Sequence, residues 1–194
     1  MTILPLTYFG PISWWRIFLT YSDIVCDIHE NYIKQTYRNR CSILSANGKQ
    51  NLSIPIKKTF GNHTAYKDIA IENNQRWQQI HYKTIMSAYK ASPYYDYFID
   101  DICHIWTKKY NYLIDVCIES VDIVSKIIKT KAEYTLSDSY LSPTENDFDF
   151  RKCKDLANYT NDNYANQTYY QVFGDRFGFV PDLCILDKIF NTTT

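Results

Sequence analysis

Residues 2–28 read TILPLTYFGPISWWRIFLTYSDIVCDI, and this run decides the fold class. TILPLTYF (2–9) reads as a strand, Gly10-Pro11 ends it, ISWWRIFLTYSD reads as a short helix, and DIVCDI (23–28) reads as a second strand. If the two strands are neighbours, they run parallel with a right-handed crossover, and both carboxyl ends open on one edge of the sheet. His29 and Glu30 follow the second strand and fall at that edge.

The next signal is CSILSA, Asn47-Gly48, KQNLSIPI. This predicts a hairpin whose two-residue Asn-Gly loop takes a type I′ turn. Pairing across that loop sets Ala46 against Lys49, Ile43 against Leu52 and Cys41 against Ile54, which places the apolar partners on one face. Extending the alternation backwards through HENYIKQTYRNRC (29–41) puts Lys34, Arg38 and Arg40 together on the other face as a basic ridge.

YKDIAIEN (66–73) predicts one more strand, and the period then turns helical. Trp77, Ile80, His81, Thr84, Ile85, Ala88 and Tyr89 form one stripe, with Asn73 or Asn74 as cap. Ser92-Pro93 stops that helix and starts a second one reaching about Lys109, with the serine capping. A third helix, from about Tyr112 to Lys129, buries Leu113, Val116, Cys117, Val124, Ile127 and Ile128. Residues 131–168 are polar and read as a loosely structured connection with one short helix or turn near Phe150 to Leu156. The tail recovers apolar content as a short helix, a turn at Gly178 and a last amphipathic segment from Asp182 to Phe190. The expected architecture is one α/β domain over 1–194, with α+β as the alternative. A small mixed sheet comes from the N-terminal third, including the Asn-Gly hairpin, and a helical C-terminal half packs on it.

Composition narrows the function. Lysine plus arginine equals aspartate plus glutamate at 21 each, so no global field draws the chain to nucleic acid or an anionic membrane, and any anion site must be a local cluster. Six cysteines without close metal spacing point to a reduced, cytoplasmic protein. No signal peptide or membrane span is read. There is no glycine-rich phosphate loop, GxSxG or HExxH, so neither a metal nor a cofactor is expected. Eighteen tyrosines suit pockets with apolar walls and polar rims, and they suit aromatic cores equally well.

Three blocks in this order resemble the WbqC-like family. They are YFGPISWW with HENYIKQTYRNRC and ANGKQNLSIPIKK; WQQIHYKTIMSAYKASPYYDYFIDD; and YYQVFGDRFGFVPDLCILDKIFN. The resemblance implies a bacterial protein of O-antigen or other surface-polysaccharide gene clusters. It further implies a transferase that decorates a sugar, with glycine as the group passed to an amino sugar, acting on a small-molecule substrate such as a nucleotide sugar or an activated amino acid. Longer members carry His-Gln-Pro-Asn-Tyr after the first strand, where this chain has Leu6-Thr7-Tyr8-Phe9-Gly10-Pro11. A catalytic role of that histidine either passes here to His29 or His81 or is absent.

The candidate residues each have a structural alternative. Lys34, Tyr37, Arg38, Asn39 and Arg40 are a charged strand edge or an anion clamp, in which arginine forks grip a phosphate or carboxylate. The clamp makes Arg38 dispensable for stability. His29 with Glu30 is a base held by a carboxylate, provided the chain bends to bring the two together. His81, one turn from Trp77, is a second candidate base or a hydrogen-bonded core histidine. Trp77, Tyr95 beside Asp100 and Asp101, and Tyr170 with Gln171 line a sugar site or belong to the core and a solvated helix face. A non-catalytic binding or assembly module of the glycan machinery is the alternative function.

Overall fold

The computed structural model describes residues 1–57, 63–131, 133–152, 156 and 167–192. Strand β1 (Thr2–Ile3), helix α1 (Ile12–Thr20) and strand β2 (Ile24–Cys26) follow one another as expected, and β1 and β2 pair in parallel with Thr2 opposite Ile24. Only two residues of the expected 2–9 strand join the ladder. The chain from Leu4 to Pro11 instead turns its side chains into the core, with Leu4, Leu6, Tyr8 and Phe9 all buried. Helix α1 is anchored by Trp14, Trp15, Ile17 and Phe18; Trp14 stacks on Phe18 at 5.0 Å and donates its indole N–H to the Pro5 carbonyl at 2.8 Å.

Gly10 sits where the chain turns into helix α1. A β-carbon there would lie 2.4 Å from Thr7 Oγ1 and 3.2 Å from Trp14 Cγ. Gly10→Ala is therefore expected to destabilise the protein by about 1–3 kcal/mol, the usual cost of overpacking a filled interior. A urea midpoint equal to the wild type would show that Thr7 and Trp14 can yield.

The hairpin forms, with its turn one residue earlier than expected. Strands β3 (Arg40–Ser45) and β4 (Gly48–Ser53) pair antiparallel with Ser45 opposite Gly48 and Cys41 opposite Leu52. Ala46 and Asn47 make the turn. A type I′ turn at Asn47-Gly48 needs positive φ at both residues, and only Gly48, at 95°, has it. Because the register moves by two, Cys41, Ile43, Leu52 and Ile54 still share the buried face.

Three other expectations are corrected. Residues 34–39 are a succession of turns, with Gln35 at φ 61°, so strand alternation does not reach back to Lys34 and no basic ridge exists. Residues 66–73 form a 3₁₀ turn (Tyr66–Asp68) and isolated bridges, Ile56 with Ile71 and Ala70 with Tyr112, in place of a strand. Residues 131–168 contribute strands β5 (Tyr134–Leu136) and β6 (Phe148–Asp149), which join β2 and β1 in an all-parallel sheet of order β5-β2-β1-β6. The sheet and the hairpin are thus separate, where one mixed sheet was expected. Of the helix or turn expected at Phe150 to Leu156, Arg151 and Lys152 form a turn and residues 153–155 lie outside the described residues.

The helical half follows the periodicity. Helix α2 (Trp77–Tyr89), helix α3 (Tyr95–Ile102), a 3₁₀ turn at Cys103–Trp106 and helix α4 (Leu113–Ile127) pack on the sheet and hairpin; α5 (Gly174–Phe177) and α6 (Ile185–Asn191) close the chain. The α4 face is buried as predicted at Leu113, Val116, Cys117, Val124 and Ile127. Ile80 is the exception on α2, being exposed. Neither Asn73 nor Asn74 caps α2, and Ser92 does not cap α3 through its side chain: Asn73 donates to the Tyr110 carbonyl, and Ser92 Oγ has no partner among the described residues. Gly178 makes the expected turn at φ 71°. Among the described residues no helix is long and apolar enough to cross a membrane.

Candidate functional site

The carboxyl edge of the parallel sheet, where α/β proteins usually receive ligands, is filled by the chain itself. Asp27, fully buried after β2, accepts from the His29 backbone N–H (2.9 Å), Ser137 Oγ (3.0 Å), the Leu141 N–H (3.1 Å) and Arg151 Nη1 (2.5 Å). Arg151, after β6, also grips Asp149 through Nε (2.9 Å) and Nη2 (2.7 Å). Beside it Arg38 spends its fork on Glu30, Nε to Oε1 at 2.8 Å and Nη2 to Oε2 at 2.7 Å, and donates to the Arg151 carbonyl at 2.8 Å. Arg38 and Glu30 are buried.

This corrects the reading of Arg38 as an anion clamp, because the carboxylate it grips is internal. It also separates Glu30 from His29: both Glu30 oxygens answer to Arg38, while His29 is half-buried and its ring has no partner among the described residues. Burial pushes the Glu30 carboxyl up to about 7, against the downward pull of the Arg38 guanidinium.

His81 is a core histidine. Its Nδ1 lies 3.0 Å from Tyr8 Oη and its Nε2 3.3 Å from the Ser53 carbonyl, so Nε2 carries the proton and Tyr8 donates to Nδ1. Tyr8 in turn accepts from Trp106 Nε1 at 2.8 Å. Trp77 packs edge-on against His81 with ring centroids 5.3 Å apart, itself buried. Burial lowers the His81 pKa to about 4 and keeps the ring neutral, and with Nδ1 accepting from Tyr8 and Nε2 donating to Ser53 no ring lone pair is left to take a substrate proton.

The remaining residues of the first block do converge. Tyr32, Lys34, Asn39 and Arg40, with Gln35, Ile56 and Lys57, line a cavity of about 260 Å³. The turns at 34–39 bring Lys34 and Arg40 to one mouth. The hairpin extension supplies the floor: Asn39 Nδ2 donates to the Ile54 carbonyl at 3.1 Å, and the Ile54 N–H to the Asn39 carbonyl at 2.8 Å. Tyr32 is fastened by its N–H to the Thr64 carbonyl at 3.0 Å, and Lys57 by its N–H to the Ala70 carbonyl at 2.8 Å.

Three of these lining residues carry a polar atom that is removed from solvent and has no partner among the described residues, namely Tyr32 Oη, Asn39 Oδ1 and Arg40 Nε. A buried unpaired donor or acceptor costs about 1–3 kcal/mol, and three on the residues of one cavity make it the candidate binding site. Lys34, Arg40 and Lys57 make no ion pair with any described residue, and no carboxylate is among the lining residues. Burial holds the Tyr32 phenol above its ordinary pKa, so it stays protonated and donates.

The other expected site residues lie elsewhere. Tyr95 packs on Phe190 with centroids 5.2 Å apart. Gln171 is buried against Asp187, which also accepts from Tyr89 and Tyr169, while Tyr170 is exposed. Tyr37 is half-buried, and its carbonyl accepts from the Tyr8 N–H. Sequence reasoning missed Tyr32, Gln35, Ile56 and Lys57; the motifs HENYIKQTYRNRC and IPIKK held them all, but their meeting depends on the 34–39 turns. Among the described residues no group of three or more His, Cys, Asp or Glu side chains is placed to hold a metal.

The model of the WbqC-like protein family matches residues 7–169. No curated protein and no solved structure is matched. The match takes in the sheet edge, the hairpin, the cavity and helices α2 to α4, and it ends where the third block of the sequence resemblance begins, at Tyr169. The chain belongs to the WbqC-like protein family, which is linked to bacterial gene clusters for O-antigen and other polysaccharide biosynthesis.

Proposed function

We propose that the protein is a transferase of surface-polysaccharide biosynthesis that holds the anionic part of a nucleotide sugar or an activated amino acid in the pocket of Lys34, Arg40 and Lys57. The observation that carries this reading is one cavity lined by three cations that make no ion pair among the described residues, together with three residues bearing unpartnered buried polar atoms. In its finer form the group transferred is glycyl. The amine of an amino sugar attacks the activated glycyl carbonyl, the leaving group departs with the bonding pair, and a base takes the ammonium proton. His29 is the base in this form, since the ring of His81 is committed to Tyr8 and Ser53.

The test is incubation of the purified protein with amino-sugar nucleotides and activated glycine, read by mass spectrometry. A product is expected from the wild type, reduced about 10-fold or more in Arg40→Gln through loss of a charge-assisted contact. Absence of product with every donor and acceptor would count against transfer. A non-catalytic binding module of the glycan machinery is the second reading, favoured by one observation: none of His29, Glu30 and His81 lines the cavity.

A further inference from the structure

The three orphaned atoms differ in kind, and the difference constrains the ligand. Arg40 Nε–H is a donor only, the neutral Tyr32 hydroxyl is free to donate, and Asn39 Oδ1 is an acceptor only. The amide orientation of Asn39 is set by its Nδ2 bond to the Ile54 carbonyl, since turning it would oppose two oxygens. A bare anion would satisfy Arg40 and Tyr32 but would press its lone pairs on Asn39. An amino acid would bring an ammonium for Asn39, but into a pocket with three cations and no carboxylate on its wall. A hydroxyl next to a phosphate meets both demands: the phosphate charge suits Lys34, Arg40 and Lys57, and the neutral hydroxyl donates to Asn39. Ile56 offers an apolar wall for the C–H face of a ring. About 260 Å³ lies just under the roughly 300–1,000 Å³ of sites for drug-sized ligands, which fits a monosaccharide phosphate better than a whole nucleotide sugar.

We propose that this pocket binds the phosphate of a sugar phosphate together with one hydroxyl of its ring. Tyr32, Arg40, Lys34 and Lys57 face the phosphate, and the Asn39 carbonyl accepts the hydroxyl. The inference rests on the reading of the pocket as the protein's anion site, and it names the chemical class that site takes.

The experiment is calorimetric titration of the full chain with glucose, galactose and mannose 1-phosphates, cyclohexyl phosphate, inorganic phosphate and glycine, repeated with Arg40→Gln. At least one hexose phosphate should bind about 10-fold or more tightly than cyclohexyl phosphate, which has the ring and the phosphate without the hydroxyls. Arg40→Gln should weaken both esters about 10-fold or more, with far-UV circular dichroism and melting temperature unchanged. If no hexose phosphate outbinds cyclohexyl phosphate, the hydroxyl contact is wrong and the anion site stands. Glycine binding more tightly than the esters overturns the phosphate assignment. If no ester binds at millimolar concentration, or binding persists in Arg40→Gln, the anion site fails and the inference with it.

Discussion

Arg38→Ala is expected to destabilise the protein by about 3–5 kcal/mol, the cost of stripping one partner from a buried ion pair. The variant leaves the Glu30 carboxylate buried without its guanidinium fork, and it takes the donor from the Arg151 carbonyl. For a chain of this length the melting temperature should fall by roughly 6–20 °C. The double variant Arg38→Met with Glu30→Gln should recover part of the loss, since it removes both charges. Arg40, two residues along, has no partner for its Nε and no ion pair among the described residues, so Arg40→Gln should leave the unfolding midpoint where it is. A midpoint for Arg38→Ala within about 0.5 kcal/mol of the wild type, the range of ordinary surface substitutions, would return Arg38 to the candidate ligands.

The second large effect is on acid stability. The folded pKa of His81 is held down near 4 by burial, against the usual 6.5. Its contribution is fully present above pH 6.5 and is lost as pH falls through 4, for a total of about 3 kcal/mol. Glu30 acts with the opposite sign. Its pKa is raised from 4.5 to about 7, so its contribution is present below pH 4.5 and is lost as pH rises through 7. From pH 4.5 to 6.5 the two slopes oppose, and the wild-type profile should be nearly flat. The difference between wild type and His81→Gln isolates the histidine: the wild-type advantage should shrink steadily from pH 6.5 to pH 4 in urea unfolding. A difference that does not change with pH would mean that His81 is not buried neutral.

How far the sequence could be read depends on the range of the interactions involved. Helices α2 and α4 were legible because their apolar periods are local, as was the inward face of the hairpin. The hairpin turn was misplaced by one residue because Asn-Gly suits a type I′ loop and also suits Gly48 following a turn at Ala46 and Asn47. Strands β5 and β6 left no signal: two or three residues such as Phe148 and Asp149 are strand only because β1 lies open beside them. The sequence leaves His81 between core and catalysis, and only its contacts with Tyr8 and Ser53 decide for the core.

The run HENYIKQTYRNRC shows where the boundary lies. By itself the sequence determined that cations, amides and tyrosines gather between an α/β opening and an apolar-faced hairpin, because composition and short-range periodicity are properties of neighbouring residues. It had no means of sorting those cations. Arg38 and Arg40 share a side-chain type and lie two apart, yet one turns inward to Glu30 beside Arg151, more than a hundred residues downstream, and the other faces a cavity with Tyr32 and Lys57. That sorting belongs to the tertiary structure, because a buried charge is tolerable only where the fold delivers its counter-charge, and a cation left without one remains available to a ligand.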